Sequence, residues 1–504
     1  MFQVESRAQI NQLPRLRPRK LYDLVVQVAI VRPGPIEGDM VHPYLRRRAG
    51  KEQPEFPSPH PPHDPDELRT LLRETYGVPL FQEQAMKLAI VAAEFTPGEA
   101  NQLRRAMATF RNVGGMEDFQ AKLVEGMVRR GYERDFAMRC YKQIEGFGSY
   151  GFPESHALSF ARLVYVSSWI KCFHPAVFGC AILNSQPMGF YAPAQLVQDA
   201  RAHDVVVRPI DVNASGWDNA LERLDDGGLA IRLGFRQIDG FRETWATELV
   251  AARAAGAFAD VEAVAARAGL PKRGLDLLAD ADAFGSIALG RRDALWEVRR
   301  TPPKQLALFA AADAPELGRE VDAQLPAMPA SEEVAADYQT TRLSLKDHPM
   351  RFLRPLFAAE GIVSSAQAGR LRDGRRARIA GVVLVRQRPG KGNAIFVTIE
   401  DETGVTNALM WARDFEANRR AVMAARLLVL EGVIQRSEEG VIHLMTVKAY
   451  DRSVELRRLS SDYNAETPLL PVDEVIRPKP IASRDPRGQH PRDVRIMPPS
   501  RDFH

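Results

Sequence analysis

Residues 375–450 alternate between apolar and polar side chains with a period of two, and no other pattern in the chain constrains the fold as strongly. Turns at Pro389-Gly390, Thr403-Gly404 and Glu439-Gly440 separate five such segments, and a helical stretch, ARDFEANRRAV, follows the third. Alternation of this kind is typical of half-buried strands. Five strands with a helix between the third and the fourth predict an OB-fold barrel over residues 373–452.

Basic and aromatic side chains accompany this barrel. Arg386, Arg388 and Lys391 lie near the first turn, and Trp411 ends the third strand. Proteins bind single-stranded nucleic acid with this combination of positive charge and stacking surface. We therefore expect these four residues to contact DNA. For Phe396, on the second strand, the alternation leaves both an outward and a core position open.

The first two hundred residues predict helices. Apolar residues recur at intervals of three and four across residues 66–200, and Thr96-Pro97-Gly98-Glu99 has the form of a helix N-terminus. Before them, residues 1–65 end in a proline-rich stretch that predicts a loop. For His60 and His63 in that stretch, a solvated loop is favoured over a metal site, which would want further ligands on rigid elements.

Residues 201–300 predict short helices joined by glycine turns, after one short strand and turn at VVVRPIDVNAS. The turn Ile238-Asp239-Gly240-Phe241 lets backbone N–H groups face a phosphate, and a second turn is expected within AGLPKRGLDLLADADAF. Short helices joined by such a turn suit sequence-independent binding of duplex DNA around Gly240, although on the pattern alone an ordinary helical hairpin is favoured.

Residues 301–372 form a predicted connector, acidic in its first part: residues 301–340 carry seven acidic and two basic side chains. Gln305, Leu306, Leu308 and Phe309 form an apolar island within it, which suits either a partner's pocket or a satellite core contact. Residues 453–504 contain many prolines and arginines and little apolar periodicity, so we expect a mostly disordered tail.

Composition excludes several classes of protein. A formal net charge of +4 is too small for a histone-like polycation, although residues 1–50 hold nine basic and four acidic side chains. Three cysteines without a CxxC pair favour neither a disulfide framework nor a zinc ribbon, and a reducing cytoplasm is expected. No apolar run is long enough to predict a membrane span.

Long, ordered segments then resemble a known family. They are FQVESRAQ, DLVVQVAIVRPGPIEGDMVHPYLRRR, PLFQEQAMKLAIVAAEFTPGEANQLRRAM, GFGSYGFPESHALSFARLVYVSSWIKCFHPAVF, LNSQPMGFY and the terminal SRDFH. Together they resemble the bacterial C-family DNA polymerases, in their error-prone, damage-inducible branch. The resemblance covers the C-terminal half of such an enzyme. It implies a multidomain, mainly α protein, with polymerase fingers, tandem helix-hairpin-helix motifs and a C-terminal five-stranded OB-fold barrel.

The resemblance also implies roles for particular residues. It assigns contacts with the incoming dNTP to six residues: Arg104, Arg105, Phe152, Ser155, His156 and Arg32. For Ser155 the alternative is an ordinary helix cap. It places Arg46, Arg47 and Arg48 near DNA phosphates. After LRRAM the family usually has more basic residues than this chain, whose Ala108–Val113 segment holds a single arginine.

The island in the connector resembles a clamp-binding peptide. QLALF, from Gln305 to Phe309, is similar to the short segment by which bacterial polymerases engage the sliding clamp, and it stands between the hairpin region and the barrel. Other damage-tolerance proteins are implied as partners, beside primer-template DNA and dNTP.

Catalysis in this family needs Mg²⁺ held by carboxylates. In the family those aspartates precede the FQVESR segment, which here follows Met1 directly. Asp64-Pro65-Asp66 and Asp280-Ala281-Asp282 lack strand context as substitutes. We therefore expect a DNA-directed DNA polymerase of translesion synthesis that is inactive as this chain alone. The alternative is a non-catalytic DNA- and clamp-binding accessory protein. A free-standing single-strand binder would leave residues 1–200 unexplained.

Overall fold

A computed structural model describes most of the chain, in two compact units of residues 1–173 and 174–504. The described residues are 3–31, 41–109, 116–146, 153–188, 191–301, 326–388, 393–437, 440–460 and 501–503. The six-part domain division given above stays a prediction.

The first unit is helical over its described residues. Its helices are α1 (Arg7–Leu16), α2 (Leu21–Ile30), α3 (Val41–Arg48), α4 (Glu67–Leu72), α5 (Gln82–Ala93), α6 (Pro97–Thr109), α7 (Met116–Arg129), α8 (Arg134–Gly146) and α9 (Glu154–Phe173), with a 3₁₀ turn at Arg73–Thr75. Thr96 and Glu99 form the predicted capping arrangement of α6, because each side chain accepts a hydrogen bond from the other residue's N–H.

The centre of this unit is α2, which is buried from Val25 to Ile30. Helix α9 packs against it and buries small and branched side chains, Ala157, Ala161 and Val164, at helical spacing. On its other side α9 leaves a row of large apolar side chains exposed, among them Tyr165, Trp169 and Phe173. Because nearly every residue of LYDLVVQVAI is apolar, this sequence predicts a helix that is buried in the core. It does not indicate which side of the helix faces solvent.

The second unit begins with two helices, a small sheet and the hairpin helices. These elements are α10 (Pro175–Asn184), α11 (Pro193–Ala202), β1 (Val207–Arg208), β2 (Ala220–Arg223), β3 (Leu229–Arg232), α12 (Glu243–Arg253), α13 (Val261–Ala268), α14 (Lys272–Asp280) and α15 (Arg291–Arg300). Strand β3 pairs in parallel with β1 and antiparallel with β2. The sequence predicted one strand here, because strands of two to four residues contain too few alternations to be recognised.

Ion pairs fasten the end of the connector to the hairpin helices. Three short helices follow residue 326: α16 (Ala330–Thr340), α17 (Pro349–Ala359) and α18 (Ser365–Gly369). The buried Arg291 of α15 forms ion pairs with Glu333 and Asp337 of α16. Lys346 reaches Asp282 at 2.8 Å. The hairpin region and the connector helices are therefore held together by charge pairs.

The five predicted strands form a closed barrel. They are β4 (Arg376–Gln387), β5 (Ala394–Asp401), β6 (Gly404–Trp411), β7 (Leu427–Arg436) and β8 (Ile442–Asp451), and α19 (Ala412–Ala424) lies between β6 and β7. The order β4–β5–β6–β8–β7 returns to β4, and only the β6–β8 pair of these five strands is parallel. This topology confirms the predicted OB-fold and, with the helical remainder, the predicted fold class.

Both described parts of the predicted tail are structured. Ser453–Leu459 is a 3₁₀ helix, whose Leu456 and Leu459 are buried with α17 against the outer side of β4 and β7. Residues 501–503 form β9, which pairs in parallel with β4 at Val385–Gln387. Two leucines three residues apart suffice to bury one side of a single helical turn. Residues 461–500 and 504 lie outside the described residues.

Candidate nucleic-acid interface

Seven of the predicted site residues lie outside the described part of the chain: Arg32, Phe152, Gln305, Leu306, Leu308, Phe309 and Lys391. Their assignments to nucleotide, clamp and DNA stay predictions. The remaining eleven can be placed.

The paired arginines on α6 differ in surroundings. Arg104 is half-buried, and its guanidinium donates to Asn101 Oδ1 at 3.2 and 3.1 Å. Arg105 is exposed. Asn101 is one helical turn earlier, so it orients Arg104 without neutralising it. A positioned cation beside an exposed one is suited to an anionic ligand, and the nucleotide-binding role of both arginines stays a prediction.

The start of α9 is fixed by two glutamates. The N–H of Glu154 donates to Glu83 Oε2 at 2.9 Å, and the Tyr22 hydroxyl donates to Glu154 Oε1 at 2.8 Å. Burial, and then the carboxylate of Glu154, raise the pKa of Tyr22. The hydroxyl therefore stays protonated and remains a donor.

Ser155 and His156 lie just inside this helix start. Because α9 begins at Glu154, Ser155 belongs to the first turn and is not its N-cap. Both side chains are exposed, and the His156 ring packs edge-on against Phe160 with 4.5 Å between ring centroids. Two exposed polar side chains on a fixed helix start agree with the predicted nucleotide contact, which stays a prediction.

Three consecutive arginines of α3 have three different environments. The side chain of Arg46 is 53% exposed and pairs with Glu52 at 2.8 Å. Arg47 is mostly buried and donates to the same carboxylate and to the Tyr76 carbonyl. Arg48 binds the buried carboxylate of Asp23 through both terminal nitrogens, at 2.7 and 2.9 Å. Of the three, Arg46 is therefore the best placed to reach a phosphate.

The hydrogen bonds to Asp23 stabilise its ionised carboxylate. Burial alone would raise the pKa of Asp23, but hydrogen bonds from Arg48 and from the N–H groups of Arg19 and Lys20 hold that pKa below its usual value. Asp23 is thus ionised at neutral pH, and the pair is a buried, bidentate ion pair.

Sequence reasoning missed the segment that this pair supports. Arg48 also donates to the carbonyls of Leu16 and Arg17. These residues belong to the run RLRPRK, residues 15–20, which we call the basic loop. Four basic residues in six positions were visible within the basic block of residues 1–50, but charge density alone does not distinguish a solvated loop from a binding surface.

The hairpin turn at residues 238–241 has the conformation expected of its glycine. Gly240 has a φ of +82°, which glycine adopts readily. The neighbouring Asp239 is held by the end of α16: its N–H donates to the Thr340 carbonyl at 2.9 Å, and its carboxylate accepts from Arg342 at 3.0 Å. The predicted DNA contact at Gly240 therefore lies on an anchored turn whose nearest acidic group is already paired.

Two arginines flank this turn that sequence reasoning did not single out. Arg242 is exposed and lies over the Trp245 ring, 5.0 Å from its centroid. A Cβ built on Gly240 would lie 3.8 Å from Arg273 Nη2. Their spacing in the sequence, 31 residues apart, offered no signal. Within the second predicted turn region, Gly269 ends α13 with a φ of +63°.

The outward side of β5 and β6 carries two aromatic side chains, Phe396 and Trp411. Ile395 and Val397 point into the core, so Phe396 between them faces outward, opposite Leu409. Trp411 lies opposite Ala394, and its side chain is 52% exposed. The structure thus decides between the two positions that the sequence left open for Phe396.

Arg386 and Arg388, two residues apart on and beyond β4, separate in the structure. Arg386 is buried, and its guanidinium donates to the carbonyls of Val422 and Ala425 at the end of α19. A guanidinium at a helix C-terminus satisfies carbonyls that lack intrahelical partners. Arg388 is exposed. Among the predicted DNA contacts of the barrel, Arg386 therefore stabilises the fold, whereas Arg388 and Trp411 are accessible.

The carboxylates considered as metal ligands do not fit that role. Among the described residues, no group of three His, Cys, Asp or Glu side chains could hold a metal ion. Asp66 pairs with Arg69, and Asp282 pairs with Lys346. Burial raises the pKa of Asp280, which disfavours the charged form a hard cation needs. We derive no catalytic step through Mg²⁺ at these residues. No helix of the described chain is long and apolar enough to cross a membrane.

Two family models match parts of the chain. Residues 1–131 match the finger domain of the bacterial DNA polymerase III alpha subunit, and residues 204–294 match a helix-hairpin-helix motif. The second match covers the anchored turn and the helices around it.

Curated relatives that align with the whole chain include several described as error-prone DNA polymerases. An error-prone DNA polymerase of Brucella abortus is 57% identical, and its alignment includes all of this chain but 46% of the relative. One from Rhodopseudomonas palustris strain HaA2 is 56% identical with the same two shares. A solved asparaginyl-tRNA synthetase from Pyrococcus horikoshii aligns with 19% of this chain and 29% of its own, at 23% identity and a TM-score of 0.16, too low to support a conclusion. This chain, which spans about half the length of its curated relatives, belongs to the bacterial C-family DNA polymerases, in their error-prone branch.

Proposed function

We propose that this chain supplies the DNA-binding and nucleotide-binding parts of an error-prone, DNA-directed DNA polymerase that acts in damage tolerance by translesion synthesis. The observation that carries the proposal is 57% identity across the whole chain with the Brucella abortus error-prone DNA polymerase. The anchored turn at Gly240 and the exposed Trp411 support it, because duplex and single-stranded DNA are bound by such features.

In the complete enzyme, the primer 3′-hydroxyl attacks the α-phosphate of a bound dNTP and pyrophosphate leaves. Arg104 and Arg105 would bind the triphosphate, because guanidinium donors match phosphate oxygens and offset their charge. Ser155 and His156 would donate further hydrogen bonds. The Mg²⁺ that such a transfer uses would polarise the phosphate, and the described carboxylates offer no cluster for it. We therefore infer that the chain alone does not extend a primer.

The proposed partners follow from the same family. They are primer-template DNA, dNTP, further damage-tolerance proteins and a sliding clamp. The clamp would bind the Gln305–Phe309 segment. All of these contacts would be made in the cytoplasm. A titration of clamp with wild type and with a Leu308→Ala, Phe309→Ala double variant tests this contact. Weaker binding by the double variant is expected, and equal affinity would reject the clamp site.

Primer extension tests the proposed function directly. The purified chain is mixed with Mg²⁺, four dNTPs and a labelled primer-template, beside the complete Brucella abortus polymerase as a positive control. We expect DNA binding without extension by this chain. Absence of binding contradicts the proposed DNA-binding function, and extension by the chain alone contradicts its inactivity.

A non-catalytic DNA- and clamp-binding accessory protein is the second candidate. It is favoured by the lack of a carboxylate cluster among the described residues. The two candidates separate when the part of the Brucella abortus polymerase outside this alignment is produced separately and added. If this chain is part of a polymerase, the mixture of the two parts extends the primer. If it is an accessory protein, the mixture does not extend the primer beyond what the added part does alone.

A further inference from the structure

We propose that the basic loop, residues 15–20, is a binding surface for the phosphodiester backbone of duplex DNA. This inference rests on the proposed function, and it adds a DNA contact in the first unit that lies outside the predicted nucleotide, hairpin and barrel sites.

The charge of the loop is concentrated and accessible. Arg15, Arg17, Arg19 and Lys20 are basic, no residue from 15 to 20 is acidic, and the side chains of all four are exposed. Lys20 reaches Glu74 at 3.1 Å, so the charge of Lys20 is partly offset. Like charges this close repel one another, which makes the segment unfavourable in isolation and favourable opposite a row of phosphates.

The loop backbone is anchored from both sides by one ion pair. Asp23 accepts hydrogen bonds from the N–H groups of Arg19 and Lys20, at 2.7 and 3.1 Å. Arg48 donates to the carbonyls of Leu16 and Arg17, at 2.7 and 3.1 Å. Because Asp23 and Arg48 neutralise each other, they fix the loop without changing its net charge. An anchored loop loses less conformational entropy on binding than a mobile one.

Arg17 occupies a backbone conformation that does not favour arginine. Its φ of 49° and ψ of 70° lie in the left-handed region, at the C-terminus of α1. Glycine or asparagine is the usual residue there, and a residue with a Cβ costs roughly 1 kcal/mol more. A side chain that is exposed contributes little packing to offset this cost. Seven other described non-glycine residues also have a positive φ, so this conformation supports the proposal only together with the charge and the anchoring of the loop.

The experiment measures binding of a fluorescent DNA duplex by the whole chain at several salt concentrations. The loop variant is Arg17→Gly with Arg19→Ala, in which glycine keeps the left-handed conformation. The matched control is Arg134→Ala with Arg139→Ala, two exposed arginines of α8 in the same unit. A third variant, Arg17→Lys with Arg19→Lys, retains the charge.

We expect the loop variant to lower duplex affinity by about tenfold or more near 0.1 M salt, and to reduce the slope of log K against log salt by about two, since each lost phosphate contact removes about 0.9. The control and the lysine variant should keep the wild-type slope. If the double variant does not fold, Arg19→Ala alone replaces it, and we expect this variant to reduce the slope of log K against log salt by about one.

Three results would overturn the inference. Equal slopes for the loop variant and the control would remove the loop from DNA binding while leaving the proposed function intact. Absence of duplex and primer-template binding by wild type would reject both. Weaker binding of the loop variant to phosphatidylserine vesicles, with unchanged DNA binding, would identify a different anionic partner.

Discussion

Helix α3 and the barrel both contain arginines that the sequence predicts as DNA contacts, and each of these regions also contains an arginine that is mostly buried. The buried groups differ in their acceptors. Arg48 binds the carboxylate of Asp23, whereas Arg386 binds the neutral carbonyls of Val422 and Ala425. In each case a mostly buried guanidinium donates to backbone carbonyls of a distant segment, whereas Arg46 and Arg388 nearby are exposed. The burial of an arginine therefore distinguishes one that stabilises the fold from one that is exposed to solvent, and the position of the arginine in the sequence does not.

The largest expected effect is that of Asp23→Asn. Asparagine still accepts backbone hydrogen bonds, but it leaves the mostly buried Arg48 without its counter-charge. We expect a loss of about 3 kcal/mol in the stability of α2 and the basic loop. Native-state hydrogen exchange of the α2 amides measures it. Asp66→Asn, at an exposed pair with Arg69, is the control and should change little.

The same pair predicts a pH dependence. The pKa of Asp23 is lowered in the folded state, so its contribution is full above the unfolded carboxyl pKa of about 4 and is lost as the pH falls through the folded pKa. The difference in stability between wild type and Asp23→Asn should therefore be constant from pH 7 to pH 5 and shrink below about pH 4. A difference that grows on acidification would contradict the pairing.

Arg386→Met should have a smaller effect. It removes the charged hydrogen bonds to the carbonyls of Val422 and Ala425, so we expect a loss of about 2 kcal/mol in the stability of the barrel. Hydrogen exchange of β4 and α19 amides gives the value, with Arg388→Met as the exposed control. A loss as large as that of Asp23→Asn would remove the distinction between charged and neutral acceptors.

Trp411→Ala tests the accessible side of the barrel. A base stacked on the indole contributes about 1 to 3 kcal/mol, so affinity for an oligo(dT) strand should fall by roughly 5- to 150-fold. Barrel stability should change little, because half of the side chain is exposed. Met423→Ala, at an exposed apolar residue of α19, is the control. Equal oligo(dT) binding by both variants would place the single-strand site elsewhere.

The smallest effect is expected for Glu74→Gln. Both side chains of the Lys20–Glu74 pair are about half exposed, so its loss should change stability by less than about 0.5 kcal/mol. Removing this carboxylate leaves the basic loop more positive, and duplex affinity should not fall. A weaker affinity in the fluorescence titration would show that Glu74 supports the loop conformation.

Much of the fold could be predicted because its elements are long. The barrel strands run for eight to twelve residues and contain several full alternations, and the Thr96–Glu99 cap precedes a thirteen-residue helix. The two- to four-residue strands of the small sheet gave no such signal. Arg242 and Arg273 came together at the hairpin turn without any sequence pattern linking them.

The sequence by itself determined the fold class, the OB-fold barrel and the family, because periodicity and long ordered matches are properties of neighbouring residues. Only the tertiary structure decided the roles of individual arginines. Arg48 meets Asp23 across 25 positions, and Arg386 meets Val422 across 36. Segments that are distant in the sequence determine how exposed a guanidinium is and which acceptors it contacts. The role of an arginine in the folded chain therefore cannot be predicted from its neighbours in the sequence. For the same reason the basic loop emerged as a candidate surface only when its anchoring ion pair was seen.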